Sequence, residues 1–262
     1  MKLINKILRY EIHNTIRNKW IIIYTFFFFF VGYALFAFSG DVSKAYISLM
    51  NIVLIIIPIV SLIFGSIYLY NSREFVEMML SQPIDRKSLF LGVYFGTSIP
   101  LSLSWVIGII LPFLLFSKSY QQFDGLLFLI LIGAALTFVF TAIAFFVTIR
   151  QDDKAKGLGY LIMIWLLLAV IYDGIILLIV YYFQDYPLEK VMIGLSIVNP
   201  IDLARLIFLI KFNISALMGY TGAVFQNFFG SVLGIFISIF FLLIWIVVPI
   251  ILSTKSFSKK DF

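Results

Sequence analysis

The chain has no cysteine and a single histidine, His13, among its 262 residues. The first absence excludes disulfides, thiolate metal sites and cysteine nucleophiles. The second leaves no catalytic triad and no histidine metal site that one chain could assemble. Charge is scarce as well, at 12% of residues, about half the share of a soluble domain. No GxxxxGK[ST] sequence occurs, so nucleotide binding of the Walker type is excluded from this polypeptide. Convergent polar groups of the kind an enzyme needs are missing too, and we expect no catalytic and no metal-binding residues here.

What is abundant is apolar: 63% of the residues are hydrophobic and the mean hydropathy is +1.10. A hydrocarbon layer about 30 Å thick takes on the order of 20 apolar residues in a helix. Six uncharged runs reach that length, Trp20 to Phe38, Ile47 to Tyr70, Gly92 to Phe116, Gly125 to Ile149, Gly157 to Phe183 and Ser231 to Leu252. Only Asp173 places a charge inside one of them, which makes it a candidate pathway residue, because a charge buried in lipid is expensive. The expected fold is an all-α polytopic membrane protein, one transmembrane domain over residues 1–262.

The Lys and Arg residues set the expected orientation. Five lie in residues 1–19 and three in each of 71–91, 150–156 and 253–262, fourteen of the nineteen, and six spans put these four segments on one side. The positive-inside rule then places both termini in the cytoplasm of a bacterial inner membrane, and 184–230 outside.

Three segments are not spans. In residues 1–19, Lys2, Lys6, Arg9, His13 and Arg17 fall within about an 80° arc, beside Ile4, Leu8, Ile12 and Ile16, which predicts an amphipathic helix for a lipid surface or a cytoplasmic ATPase. Between spans two and three, Ser72 is positioned to cap a short helix with Glu74 in its first turn and Pro83 just past its end, and Asp85 to cap the next span. Phe75, Met78 and Met79 share one face of that short helix, leaving Arg73, Glu74 and Glu77 outward. In the outer segment 184–230, Asn199-Pro200-Ile201-Asp202 reads as a helix start, Asp202 and Arg205 pair, and Leu203, Leu206, Ile207 and Ile210 form an apolar side for packing, the membrane surface or a partner.

This order, with Glu77-Met-Met-Leu-Ser-Gln-Pro-Ile-Asp-Arg86 between spans two and three, resembles the type-2 ABC export permeases. In them a Leu-Ser-Gln-Pro element followed by a basic residue forms the coupling helix that seats on the ATPase. More narrowly, Asn199-Pro-Ile-Asp-Leu-Ala-Arg205 and Ala216-Leu-Met-Gly-Tyr-Thr-Gly-Ala-Val224 look like the NosY-type permeases of nitrous oxide reductase maturation. The resemblance implies a homodimer, NosF-type cytoplasmic ATPases that hold the ATP and Mg, no cofactor on this chain, and a periplasmic NosD-type protein on the outer segment. The assembly would serve copper-centre maturation in denitrification. It also points to Arg73, Glu74, Glu77, Gln82, Pro83, Asp85 and Arg86 as ATPase contacts. For the periplasmic partner we expect Asn199, Pro200, Asp202, Arg205, Leu206 and Ile210. An ATP-independent channel or secondary transporter, or an ABC permease for another substrate such as a drug or lipid, is the alternative.

Overall fold

The computed structural model describes residues 2–39, 42–116, 123–183, 186, 188–211 and 232–260, and among these there are helices and no strands. In chain order the helices are α1 (Lys2–Ile16), α2 (Lys19–Phe38), α3 (Val42–Asn71), α4 (Arg73–Leu80), α5 (Arg86–Phe116) and α6 (Phe123–Arg150). Helix α7 (Lys154–Leu166) runs through a π turn, Leu167–Ile171, into α8 (Tyr172–Tyr182). Then follow α9 (Glu189–Val198), α10 (Pro200–Lys211) and α11 (Val232–Lys259).

Among the described residues six single stretches are long and apolar enough to cross a membrane: Lys19–Phe38, Ser43–Asn71, Arg86–Phe116, Phe123–Arg150, Lys154–Tyr182 and Phe236–Lys259. They are the six expected spans, lengthened by several residues at most ends. A 30-residue helix is about 45 Å long, so α3, α5 and α6 project beyond the apolar layer and carry the short connections with them. Pro58, Pro100, Pro112 and Pro249 sit inside helices, which neighbouring spans make tolerable.

Helix α6 is the most enclosed span, packed by α3, α5, α10 and α11, whereas α7 and α8 face almost wholly away from the bundle. The core is aromatic. Trp105 of α5 is fully buried and meets the edge of Phe28 of α2 at 4.6 Å between ring centres. Its indole lies on Gly133 of α6, where a Cβ would overlap the ring, so this close approach needs glycine. Six hydroxyls inside the bundle bond within their own helices: Thr97, Ser98, Thr137, Thr148, Ser238 and Ser253 each donate to the carbonyl four residues back.

Candidate functional site

Helices α3 and α4 are separated by Ser72 alone, and α4 is joined to α5 by the turn 81–85. This short helix therefore hangs between two spans, at the end of the bundle where α1, residues 151–153 and the end of α11 also lie. Val76 is its buried anchor, in a cluster with Ile7, Tyr68, Leu69, Leu89, Phe90 and Phe257 against which Met79 and Leu80 also pack. The expected inner face of Phe75, Met78 and Met79 is thus corrected. Met78 is 56% exposed and Val76 takes the inward place, because the chain leaves α3 rotated by about one residue from the sequence reading. Ser72 makes no side-chain cap, since the turn runs almost continuously from α3. Glu74, Glu77, Met78 and Ser81, at helical spacing, form the exposed face, and Gln82, Pro83 and Asp85 extend it.

The two arginines expected on that surface are internal ties. Arg73 pairs with Asp152 in the connection between α6 and α7, and Lys260, just past α11, reaches the same carboxylate oxygen at 2.6 Å. The Lys260 ammonium also donates to the Ile149 carbonyl at 2.7 Å, at the end of α6. Arg86, at the start of α5, donates to the carbonyls of Ser258 and Lys260 at 3.2 and 2.7 Å. The Tyr70 hydroxyl donates to the Gln151 carbonyl at 2.8 Å. Both flanks of α4 are therefore pinned to the ends of α6 and α11. Bonds from Lys260 and Arg73 hold the Asp152 carboxyl below the usual carboxylate range. Asp85 caps α5 as expected, accepting from the Ser88 hydroxyl and amide at 2.8 and 3.0 Å, which lowers its pKa too.

Helix α1 packs on α5 through Ile7, Glu11 and Thr15, all buried, and not through the stripe Leu8, Ile12 and Ile16, of which Ile16 is 49% exposed. Two of the three inward residues are polar, so hydropathy alone does not mark the face that packs on the bundle, and the apolar stripe stays available to a surface. Glycines make the seat: a Cβ at Gly92 would overlap Ile7, and one at Gly96 would overlap Glu11. The Tyr68 hydroxyl of α3 donates to Glu11, and the Asn14 amide donates to that hydroxyl at 3.2 Å. Burial pushes the Glu11 carboxyl above its ordinary range against the opposing effect of the Tyr68 bond. Tyr10 stacks on Phe75 of α4 at 5.2 Å, so α1 touches the short helix directly.

Beside the middle of the fifth span, α9 and α10 meet at a bend of 115°, and together they have the length and apolar character of a broken span or a re-entrant loop. Asn199 makes the bend. Its side-chain oxygen accepts from the Ile201 amide at 3.0 Å, capping α10 as expected, while its amide donates to the Leu168 carbonyl in the π turn at 2.8 Å. The Tyr172 hydroxyl donates to the Leu195 carbonyl at 2.6 Å. Asp173, which the sequence left without a partner, pairs with Arg205 at 3.0 Å, and Arg205 also lies 3.2 Å from Asp202. The signal for this pairing was one Arg among the few charges of the outer segment.

Of the roles open to the apolar side of α10, packing is the one the structure shows. Asn199, Pro200, Asp202 and Leu206 are buried within the chain itself, Leu206 among Met192, Leu203 and Leu242. Helix α10 packs on α6, α11, α9 and α3, and Phe208 reaches the main core, so the apolar side of this helix is spent on the bundle. The Ile210 side chain and the element Ala216 to Val224 lie outside the described residues.

The description "ABC-2 family transporter protein" covers the family whose model matches residues 5–262. Two relatives are each described as "Probable ABC transporter permease protein NosY". The one from Pseudomonas aeruginosa is 26% identical over 239 residues, covering 84% of this chain and 86% of that protein. The one from Stutzerimonas stutzeri is 23% identical over 273 residues, covering 97% of each. A match along nearly the whole length, on a bundle of six spans with a short pinned helix between the second and third, means that the chain belongs to the ABC-2 transporter family, as a membrane-embedded permease subunit.

Proposed function

We propose that this permease turns ATP hydrolysis on a separate cytoplasmic ATPase, which holds the ATP and Mg, into movement of its spans, and that α4 is the coupling helix. The observation that carries this is the outward face Glu74, Glu77, Met78 and Ser81 on a helix whose flanks are fixed by Arg73 and Arg86 to the ends of α6 and α11. A force applied there cannot move α4 without moving α3, α5 and α11. Similarity to the NosY-named permeases supports a homodimer with NosF-type ATPases, a periplasmic NosD-type partner, and a role in assembling the copper centre of nitrous oxide reductase. The basic end supports cytoplasmic termini in a bacterial inner membrane. A periplasmic partner then meets surface other than the buried side of α10. With Asp173 paired to Arg205, we assign it to holding the bent pair α9 and α10 rather than to a pathway.

Co-purification of the ATPase with Glu77→Arg is the test. We expect normal permease abundance and loss of the ATPase, because reversal falls on an exposed face that packs nothing. An ATPase that still binds and turns over normally would remove α4 as the contact. For orientation, Lys154→Cys should be shielded from an impermeant thiol reagent in intact cells while Tyr186→Cys reacts, and the reverse pattern would invert the topology.

A further inference from the structure

Helix α1 presents two packed faces, an open apolar flank and one face more. Ile7, Glu11 and Thr15 seat it on α5, Tyr10 stacks on α4, and the flank Leu8, Ile12 and Ile16 is apolar and progressively open. Between the last two runs an exposed stripe of Lys6, Arg9, His13 and Arg17. At 100° per residue these four span about 80°, adjoining the Ile16 flank on one side and Tyr10 on the other.

We propose that this stripe binds the headgroups of anionic phospholipids, and that the bound lipid holds α1, and through it α4, in place. Three observations select lipid. The stripe adjoins an apolar flank, as a helix lying at a bilayer surface requires. It continues directly into Lys19 and Trp20, the latter 67% exposed at the start of the first span, the level at which Trp marks the headgroup region. And the neighbouring exposed face of α4 carries Glu74 and Glu77, so a protein surface complementary to α4 has the wrong sign for the stripe. The consequence is reached through two contacts already described, Tyr10 on Phe75 and Glu11 with Tyr68. The proposal needs only a membrane-embedded chain, so it stands or falls separately from the docking of an ATPase on α4.

The full-length permease is reconstituted in nanodiscs of phosphatidylcholine alone or with phosphatidylglycerol. Retained lipid is read by native mass spectrometry and the aggregation temperature is measured in parallel. We expect preferential retention of phosphatidylglycerol and a higher aggregation temperature in its presence. The preference should weaken roughly fivefold for each basic side chain removed in Lys6→Gln, Arg9→Gln and Arg17→Gln. Equal retention of both lipids by the unaltered protein would overturn the proposal and leave an acidic protein face as the partner. So would a triple variant that keeps the full preference. Sodium phosphate that raises the temperature in phosphatidylcholine discs, at matched ionic strength and only with the stripe intact, would assign the site to free phosphate instead.

Discussion

Arg205 on α10 stands 3.0 Å from Asp173 on α8 and 3.2 Å from Asp202 on its own helix, so one guanidinium serves two carboxylates. The Asp202 side chain is nearly enclosed, whereas Asp173 and Arg205 are about one-third open. Around them Asn199 and Tyr172 bond to backbone carbonyls of the π turn and of α9. The bent pair α9 and α10 is thereby fixed to the fifth span by polar contacts, while Ile201, Ala204 and Phe208 fix it to the bundle by packing.

Arg205→Ala should therefore destabilise the protein by roughly 1–3 kcal/mol, less than a fully buried ion would cost because the site is partly open. Exchanging the partners, Asp173→Arg with Arg205→Asp, should recover part of the loss. Thermal unfolding in detergent measures both, and an unchanged midpoint for Arg205→Ala would mean that packing alone holds the hairpin.

The seat of α1 gives a second expectation. At Gly96 any side chain meets Glu11, so Gly96→Leu should lift α1 from α5 and make its Thr15 side reactive to a thiol probe placed as Thr15→Cys. Gly159, on the outward side of α7, has open space where a Cβ would go, and Gly159→Ala should be neutral or stabilising by about 0.5–1 kcal/mol. If the two variants behave alike in probe reactivity, the close approach at Gly96 is not what holds α1.

Much of this architecture was legible from residues, and the failures have physical causes. Lipid imposes a length and a composition on each span, so six uncharged runs translate directly into six helices. The cap at Asn199 and the cap at Asp85 follow from local chemistry, which one sequence carries. Facing is harder. In a membrane, periodic apolar residues face lipid or protein with equal ease, so Leu206 looked available for a partner when it is buried. Glu11 looks like a surface residue by hydropathy and faces inward because Tyr68 and Gly96 receive it. The tie of Arg73 and Lys260 to Asp152 joins residues far apart in the chain, and no spacing rule reaches that far.

The Glu11 site also has a pH signature. Its carboxyl is pushed above the ordinary range by burial, so the folded state binds the proton more tightly than the unfolded one. The resulting stabilisation is fully present below the unfolded pKa, about 4.3, and is lost as pH rises through the folded value. The Thr15→Cys probe should accordingly react faster as pH rises from acidic toward neutral, after correction for the thiol's own ionisation with a freely exposed cysteine. Glu11→Gln, neutral at every pH and still able to accept from Tyr68, should flatten that profile. A profile that persists in Glu11→Gln would place the titrating group elsewhere.

The last expectation concerns Asp152, which takes a bond from Arg73 at the start of α4 and another from Lys260 beyond the last span. Asp152 is largely exposed, and exposed ion pairs contribute about 0–1 kcal/mol to stability, so Asp152→Asn should leave the unfolding midpoint within error. Its effect on movement is of another kind. A force entering through α4 reaches α11 by two polar routes, the Arg73–Asp152–Lys260 bridge and the bonds from Arg86 to the chain near Ser258. Removing one route should weaken the coupling of ATP hydrolysis to the permease without releasing the ATPase, because none of these three side chains lies on the exposed face of α4. We therefore expect Asp152→Asn to retain the ATPase on co-purification but to lower permease-stimulated turnover by a few-fold, with a larger loss when combined with Arg86→Gln. Loss of ATPase binding in Asp152→Asn would make the residue part of the docking surface. Normal stimulation in the double variant would show that α11 follows α4 through apolar packing alone, by way of Phe257 against Phe90 at 5.6 Å.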